Sequence, residues 1–142
     1  MSAIKRDMCD DLFSKLVRER ADWTCECCGK YFPEGESRQG LHCSHFYSRR
    51  HKATRWHPDN AFAHCFHCHQ SLGEDPHEFS VWATLKLGSG LVSLIREKAL
   101  SVFRMKKHDK EDLKKHLKEQ WKIMQAKRKA GETGRIEFES WQ

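Results

Sequence analysis

Apolar residues recur with helical spacing toward both ends of this chain and in short strand-like runs in its middle. Ile4, Met8, Leu12 and Leu16, with Phe13 and Val17 beside them, fall on one stripe of a 3.6-residue period, which predicts a helix over 4–20. Trp23 then leads into Cys25-Glu26-Cys27-Cys28-Gly29-Lys30, a knuckle-like turn, and 33–40 reads as loop. Leu41 to Tyr47 and Ala61 to Ala63 suit two short strands, and the polar, basic stretch over 48–60 between them fits neither period. A short helix is expected over 66–72, stopped at Gly73. Asp75-Pro76-His77-Glu78 combines an N-cap, a proline at the first helical position and a capping-box glutamate, so a helix begins there and should end at Gly88. Another follows over 89–105 with Leu91, Leu94, Ile95 and Val102 turned inward. Asp109 and Asp112 open a last helix, striped by Leu113, Leu117, Trp121 and Met124, that closes at Gly131. The pattern is α+β, a small two-stranded centre surrounded by helices, without repeats or low-complexity linkers.

At 142 residues the chain is one domain's worth. It divides into an N-terminal helix (1–22), a cysteine- and histidine-rich centre (23–73), a helical region (74–130) and a tail (131–142). No apolar run approaches the roughly 20 residues of a membrane span, and the N-terminus lacks a signal peptide's apolar stretch. Charge sharpens the picture: residues 1–90 balance twelve basic against twelve acidic side chains, whereas 91–130 carry thirteen against five. From Ser37 to Pro58 there is no acidic residue, while Arg38, Arg49, Arg50, Lys52 and Arg55 are positive. A basic segment beside a His/Cys-rich one points to nucleic acid, bound through its backbone in a salt-sensitive way.

Seven cysteines, an odd number without an export signal, argue against a disulfide framework and for metal ligation. Cys25-x-x-Cys28 and Cys65-x-x-Cys68 have the spacing that lets both sulfurs of a turn reach one ion, and four thiolates at about 2.3 Å close a tetrahedral structural zinc site. The alternative is four buried free thiols. Cys27 or Cys43 could each replace a neighbour, His42 is a further candidate ligand, and Cys9 reads as a small hydrophobe on the first helix.

Inside the zinc loop stand Leu41-His42-Cys43-Ser44-His45-Phe46-Tyr47-Ser48-Arg49-Arg50 and Thr54-Arg55-Trp56-His57-Pro58-Asp59-Asn60, with Cys65-Phe66-His67-Cys68-His69 closing it. From Trp23 to His69 this resembles the HNH nucleases with a zinc-stapled ββα-metal finger, phage proteins among them, including the NinG-type recombination nucleases. The resemblance implies a DNA endonuclease in a bacterial host's cytoplasm, dependent on Mg²⁺ or Mn²⁺, with branched recombination intermediates as one substrate and a phage protein as a conceivable partner. His45 is the candidate base, because a neutral imidazole suits deprotonation of water near pH 7. By the same resemblance Asn60 fixes the loop or touches the metal, and His69 ligates the catalytic ion. Arg49 and Arg55 match the family's Ser-Arg and Thr-Arg positions, with Arg55 the expected phosphate contact, Arg50 beside them and Trp56 packed inward. The chain departs from many such enzymes in having Ser44, not Asp or His, directly before the base. That would leave His69 and Asn60, with Asp59 or water, to hold the ion. His64 and His67 are read as surface or supporting residues. A zinc-stabilised DNA-binding module without catalysis is the rival reading, and a protein-docking partner using the 91–130 face is a third.

Overall fold

A computed structural model describes residues 4–33 and 40–142. Arg38, counted above with the basic loop, lies outside the described residues. The elements are α1 (Met8–Arg20), β1 (Leu41–His45), α2 (Lys52–Arg55), a 3₁₀ turn at Pro58–Asn60, β2 (Ala61–Cys65), α3 (Phe66–Glu74), α4 (Pro76–Leu87), α5 (Ser89–Ala99) and α6 (Lys107–Lys129). β1 and β2 pair antiparallel, with Leu41 opposite Cys65, Cys43 opposite Ala63 and His45 opposite Ala61. No helix among the described residues is long and apolar enough to cross a membrane.

Helix α1 starts four residues later than its apolar stripe suggests, because Asp7 and Asp10 form a reciprocal capping box. Its buried side is Cys9, Phe13, Leu16 and Val17, while Ile4 and Met8 stay exposed. Phe13, Leu16 and Val17 of the expected stripe face the core; Cys9 joins them and Ile4 and Met8 fall outside, because α6 and the sheet press on the Cys9–Phe13 side. At its C-terminus the Trp23 and Asp22 N–H groups bond back to Arg18 and Glu19, a Schellman closure in which Asp22 holds the left-handed position (φ 53°) usually given to glycine. Helix α6 ends in the same motif with Gly131 (φ 97°).

The main core joins α1, the knuckle, both strands and α6, where Leu113, Leu117 and Met124 are buried. The final segment belongs to this core rather than hanging as a tail. Ile136 and Phe138 are buried, and the Ile136 N–H donates to the Arg20 carbonyl at 3.1 Å. A second cluster sets Phe62, Leu72, Phe79 and Ala83 together on the far face of the sheet.

Four expectations shift. The stretch over 48–60 contains short helical turns, α2 and the 3₁₀ turn, each too brief to show a period. Helix α3 continues through Gly73 to Glu74, because a glycine only weakens a helix and the real boundary is Asp75, which caps α4. Helix α5 stops at Ala99. Of its expected inward residues only Ile95 is buried, while Leu91, Leu94 and Val102 are exposed, the last almost wholly at 96%.

Candidate metal centre and cleft

The knuckle that carries Cys25 and Cys28 is stitched to β2 from both directions. The Glu26 N–H donates to the Ala63 carbonyl at 2.8 Å, and the Glu26 carboxylate accepts the Ala63 N–H at 2.7 Å. Gly29 (φ 78°) turns the chain back, its N–H bonding to the Cys25 carbonyl. Cys65 ends β2 and caps α3, its sulfur accepting the Cys68 N–H. These backbone devices bring all four sulfurs within 4.8 Å of one another. The Cys28–Cys65 pair is 3.9 Å apart, against about 3.8 Å for the edge of a tetrahedron with 2.3 Å metal–sulfur bonds. Burial raises the Cys25 thiol, but backbone N–H groups of Cys28, Cys65 and Cys27 aimed at its sulfur bring it below its ordinary range. That is the electrostatic preparation a thiolate ligand needs. The four cysteines can hold an ion such as zinc. Cys43 stands outside this cluster in the lining of a cleft, where burial pushes its thiol up to about 12.

Helix α3 runs from the cysteine cluster with His69 one residue beyond Cys68. β1 ends at His45. Both histidines line a cleft of about 340 Å³ between α1, β1 and α3, together with Arg6, Asp10, Ser14 and Arg49. A smaller recess beside it, about 170 Å³, is shared by His45, His69 and Ser44. His45 Nε2 lies 3.0 Å from the Arg55 carbonyl oxygen. A carbonyl can only accept, so the proton sits on Nε2 and the neutral ring keeps its lone pair on Nδ1. Burial lowers His45 to about 4, so the ring is uncharged at neutral pH. His69 Nδ1 is 3.1 Å from His42 Nδ1, and burial together with the neighbouring His42 ring lowers His69 as well.

Asn60 is fully buried and its amide is spent on the backbone. Its Oδ1 accepts the Tyr47 N–H at 2.8 Å, and its Nδ2 donates to the carbonyls of Tyr47 and Thr54 at 2.9 and 3.0 Å. The expectation that it also ligates an ion gives way to the loop-fixing role. Arg20, unremarked in the sequence, brackets Asn60 by donating to the Pro58 and Ala61 carbonyls at 2.8 and 2.6 Å. No local pattern announces a buried arginine at a helix end.

Arg55 is not the phosphate contact expected of it. It is buried and grips Asp10 through Nε and Nη2, at 2.9 and 2.6 Å, above the ring of Trp56. Burial opposes ionisation of Asp10, but the hydrogen bonds from Arg55 and from the Asp7 backbone hold its carboxyl below the usual range. The same pairing raises Arg55. Arg49 keeps a cleft position, 3.8 Å from Asp10 with 31% of its side chain exposed, and Arg50 is exposed on the same loop. Asp59 is half-buried and lines a separate groove with Leu91 and Leu94. His67 is exposed, as expected. His64 is not a surface residue: it is fully buried, its ring centroid 4.6 Å from that of Trp82 and 5.9 Å from that of Phe62.

No protein family, curated protein or solved structure matches this chain.

Proposed function

We propose that the protein is a metal-dependent nuclease of the HNH type that hydrolyses DNA phosphodiester bonds. The observation that carries this reading is the convergence of His45 and His69 on one cleft of a β-β-α unit, with Asn60 pinning the loop between the strands. His45 would take the proton of the attacking water at Nδ1, while the Arg55 carbonyl fixes its ring and stabilises the protonated form. Asn60 keeps residues 47–54 in place, so the carbonyl that orients His45 stays put. Arg49, the partly exposed cation of the cleft, is the group able to meet a phosphate oxygen. A divalent ion at His69, Mg²⁺ or Mn²⁺, would neutralise charge developing on the phosphate. The cysteine centre, loaded with zinc, would anchor the first turn of α3 and with it His69. Exposed lysines along α6, Lys115, Lys118, Lys122 and Lys129 among them, offer a second footprint for the DNA backbone. Branched recombination intermediates and a phage setting are part of the same proposal.

One observation favours the rival, a zinc-stabilised DNA-binding module. Among the described residues, the four cysteines are the one group of three or more His, Cys, Asp or Glu side chains close enough to share an ion. The deciding experiment is cleavage of plasmid and branched DNA with Mg²⁺ or Mn²⁺ by the wild type and by His45→Ala, with zinc content measured in both. Cleavage that disappears in the variant while zinc is retained supports the nuclease. DNA binding by a folded wild type that cuts under no metal supports the module.

A further inference from the structure

The cleft reading leaves a specific question: which side chain joins His69 at the ion, now that Asn60 is spent on the loop and Ser44 replaces the usual ligand before the base. We propose that it is His42, so that His42 and His69 form a two-imidazole clamp for a divalent transition-metal ion. The inference rests on His69 being an ion ligand.

The geometry favours a clamp. The two Nδ1 atoms lie 3.1 Å apart, with their rings nearly perpendicular at 87°. An ion with metal–nitrogen bonds of about 2.0–2.2 Å holds two adjacent nitrogens about 3.0–3.3 Å apart, so the spacing is that of two ligands on one ion, whose entry would displace the proton the rings share. The rings come from elements that are held independently: His42 is on β1, in register with His64 on β2, and His69 is on α3 next to the cysteine centre. Strand alternation places Ser44 on the same face of β1 as His42. The Ser44 side chain is fully buried, its Oγ has no hydrogen-bond partner among the described residues, and it lines the recess that His69 shares. A buried hydroxyl without a partner suits a water of an ion's coordination shell, so the site has a use for serine where a carboxylate is expected. An imidazole pair suits transition ions such as Co²⁺, Ni²⁺ or Zn²⁺ better than Mg²⁺, which prefers oxygen, and holds Mn²⁺ the most weakly of the divalent transition series.

The test is Mn²⁺ titration of the full protein carrying a single zinc, at its cysteine centre, read by electron paramagnetic resonance, with pulsed measurements counting the coupled nitrogens. The wild type should bind one Mn²⁺ with two imidazole nitrogens. His42→Ala and His69→Ala should each leave one nitrogen and weaken binding at least tenfold, while His67→Ala, an exposed neighbour, changes nothing. Zinc content and thermal unfolding verify that the variants are folded. Absence of bound Mn²⁺, a single coupled nitrogen in the wild type, or unchanged binding in His42→Ala would overturn the clamp and leave the 3.1 Å contact as a hydrogen bond between rings. Cleavage that still requires His45 and a divalent ion would then keep the nuclease reading intact without the clamp.

Discussion

The guanidinium of Arg55 and the carboxylate of Asp10 meet in a two-point contact, at 2.9 and 2.6 Å, in the interior rather than at the surface. The indole N–H of Trp56 adds a third donor to the same carboxylate at 3.1 Å. This junction ties α1 to the loop that carries the orienting carbonyl of His45. Breaking it strands a buried charge, which costs about 3–5 kcal/mol. Asp10→Asn should therefore lower the urea midpoint markedly, and Arg55→Lys should not restore a two-point contact. Were Arg55 instead a phosphate ligand, Arg55→Ala would flatten the salt dependence of DNA binding with stability unchanged.

Arg49 should behave in the opposite way. With a third of its side chain exposed in the cleft, Arg49→Ala is expected to leave thermal stability within about 0.5 kcal/mol of wild type. It should reduce DNA cleavage at least tenfold. Equal cleavage by the variant would remove Arg49 from the site.

Asn60→Asp separates a loop-fixing residue from a metal ligand. A carboxylate cannot donate to the carbonyls of Tyr47 and Thr54, so a loss of about 2–4 kcal/mol is expected in chemical denaturation. A ligand role would predict tighter divalent-ion binding in this variant instead.

Metal analysis after dialysis against a weak chelator should find one zinc per chain, at the cysteine centre. Cys28→Ser and Cys68→Ser should lose it and become sensitive to proteolysis across 25–69, whereas Cys43→Ser and Cys27→Ser should keep it. Strong chelation of the wild type should reproduce the protease sensitivity.

His45 makes stability depend on pH with a definite sign. Its folded-state value is about 4, below the 6.5 of an unconstrained imidazole, because burial disfavours the charged ring. Between those values the unfolded chain binds the proton that the native protein refuses, so stability is complete above about pH 6.5 and declines as pH falls toward 4. The ceiling is about 3 kcal/mol. The charged groups facing this ring are Asp10, Arg49 and Arg55. His45→Gln should lose less stability than wild type between pH 7 and 5 in paired denaturation curves. Parallel losses in the two proteins would assign the acid sensitivity elsewhere.

The features written locally were legible in the sequence. Cys-x-x-Cys spacing, the Asp75-Pro76 helix start and the Gly131 stop each depend on a few adjacent residues; β1 stands within the stretch its apolar run suggests, and β2 starts at Ala61 as expected but runs past Ala63 to Cys65. What the sequence concealed depends on partners far along the chain. Arg55 looks like a surface cation until Asp10, 45 residues earlier, is brought against it. That Cys9 rather than Met8 completes the buried side of α1 is decided by α6 and the sheet, whereas Phe13, Leu16 and Val17 follow the pattern within α1. His42 and His69 look unrelated, being 27 residues apart on a strand and a helix. Exposed Leu94 and Val102 are the converse case, apolar residues whose spacing promised a core that is not there.

Residues 136–138 have a temporal meaning as well as a spatial one. The cysteine pairs and both strands are complete once residue 68 has been made, so the metal knuckle can close around its ion while later helices are still being synthesised. The core over α1 cannot, because Ile136 must reach the Arg20 carbonyl and Phe138 must slide beneath the Arg20 guanidinium, 5.4 Å from ring to cation. Until then the core over α1 lacks the Ile136 and Phe138 that close it. The metal-bound half would be the first to become stable on the ribosome, and the half that carries Asp10 the last.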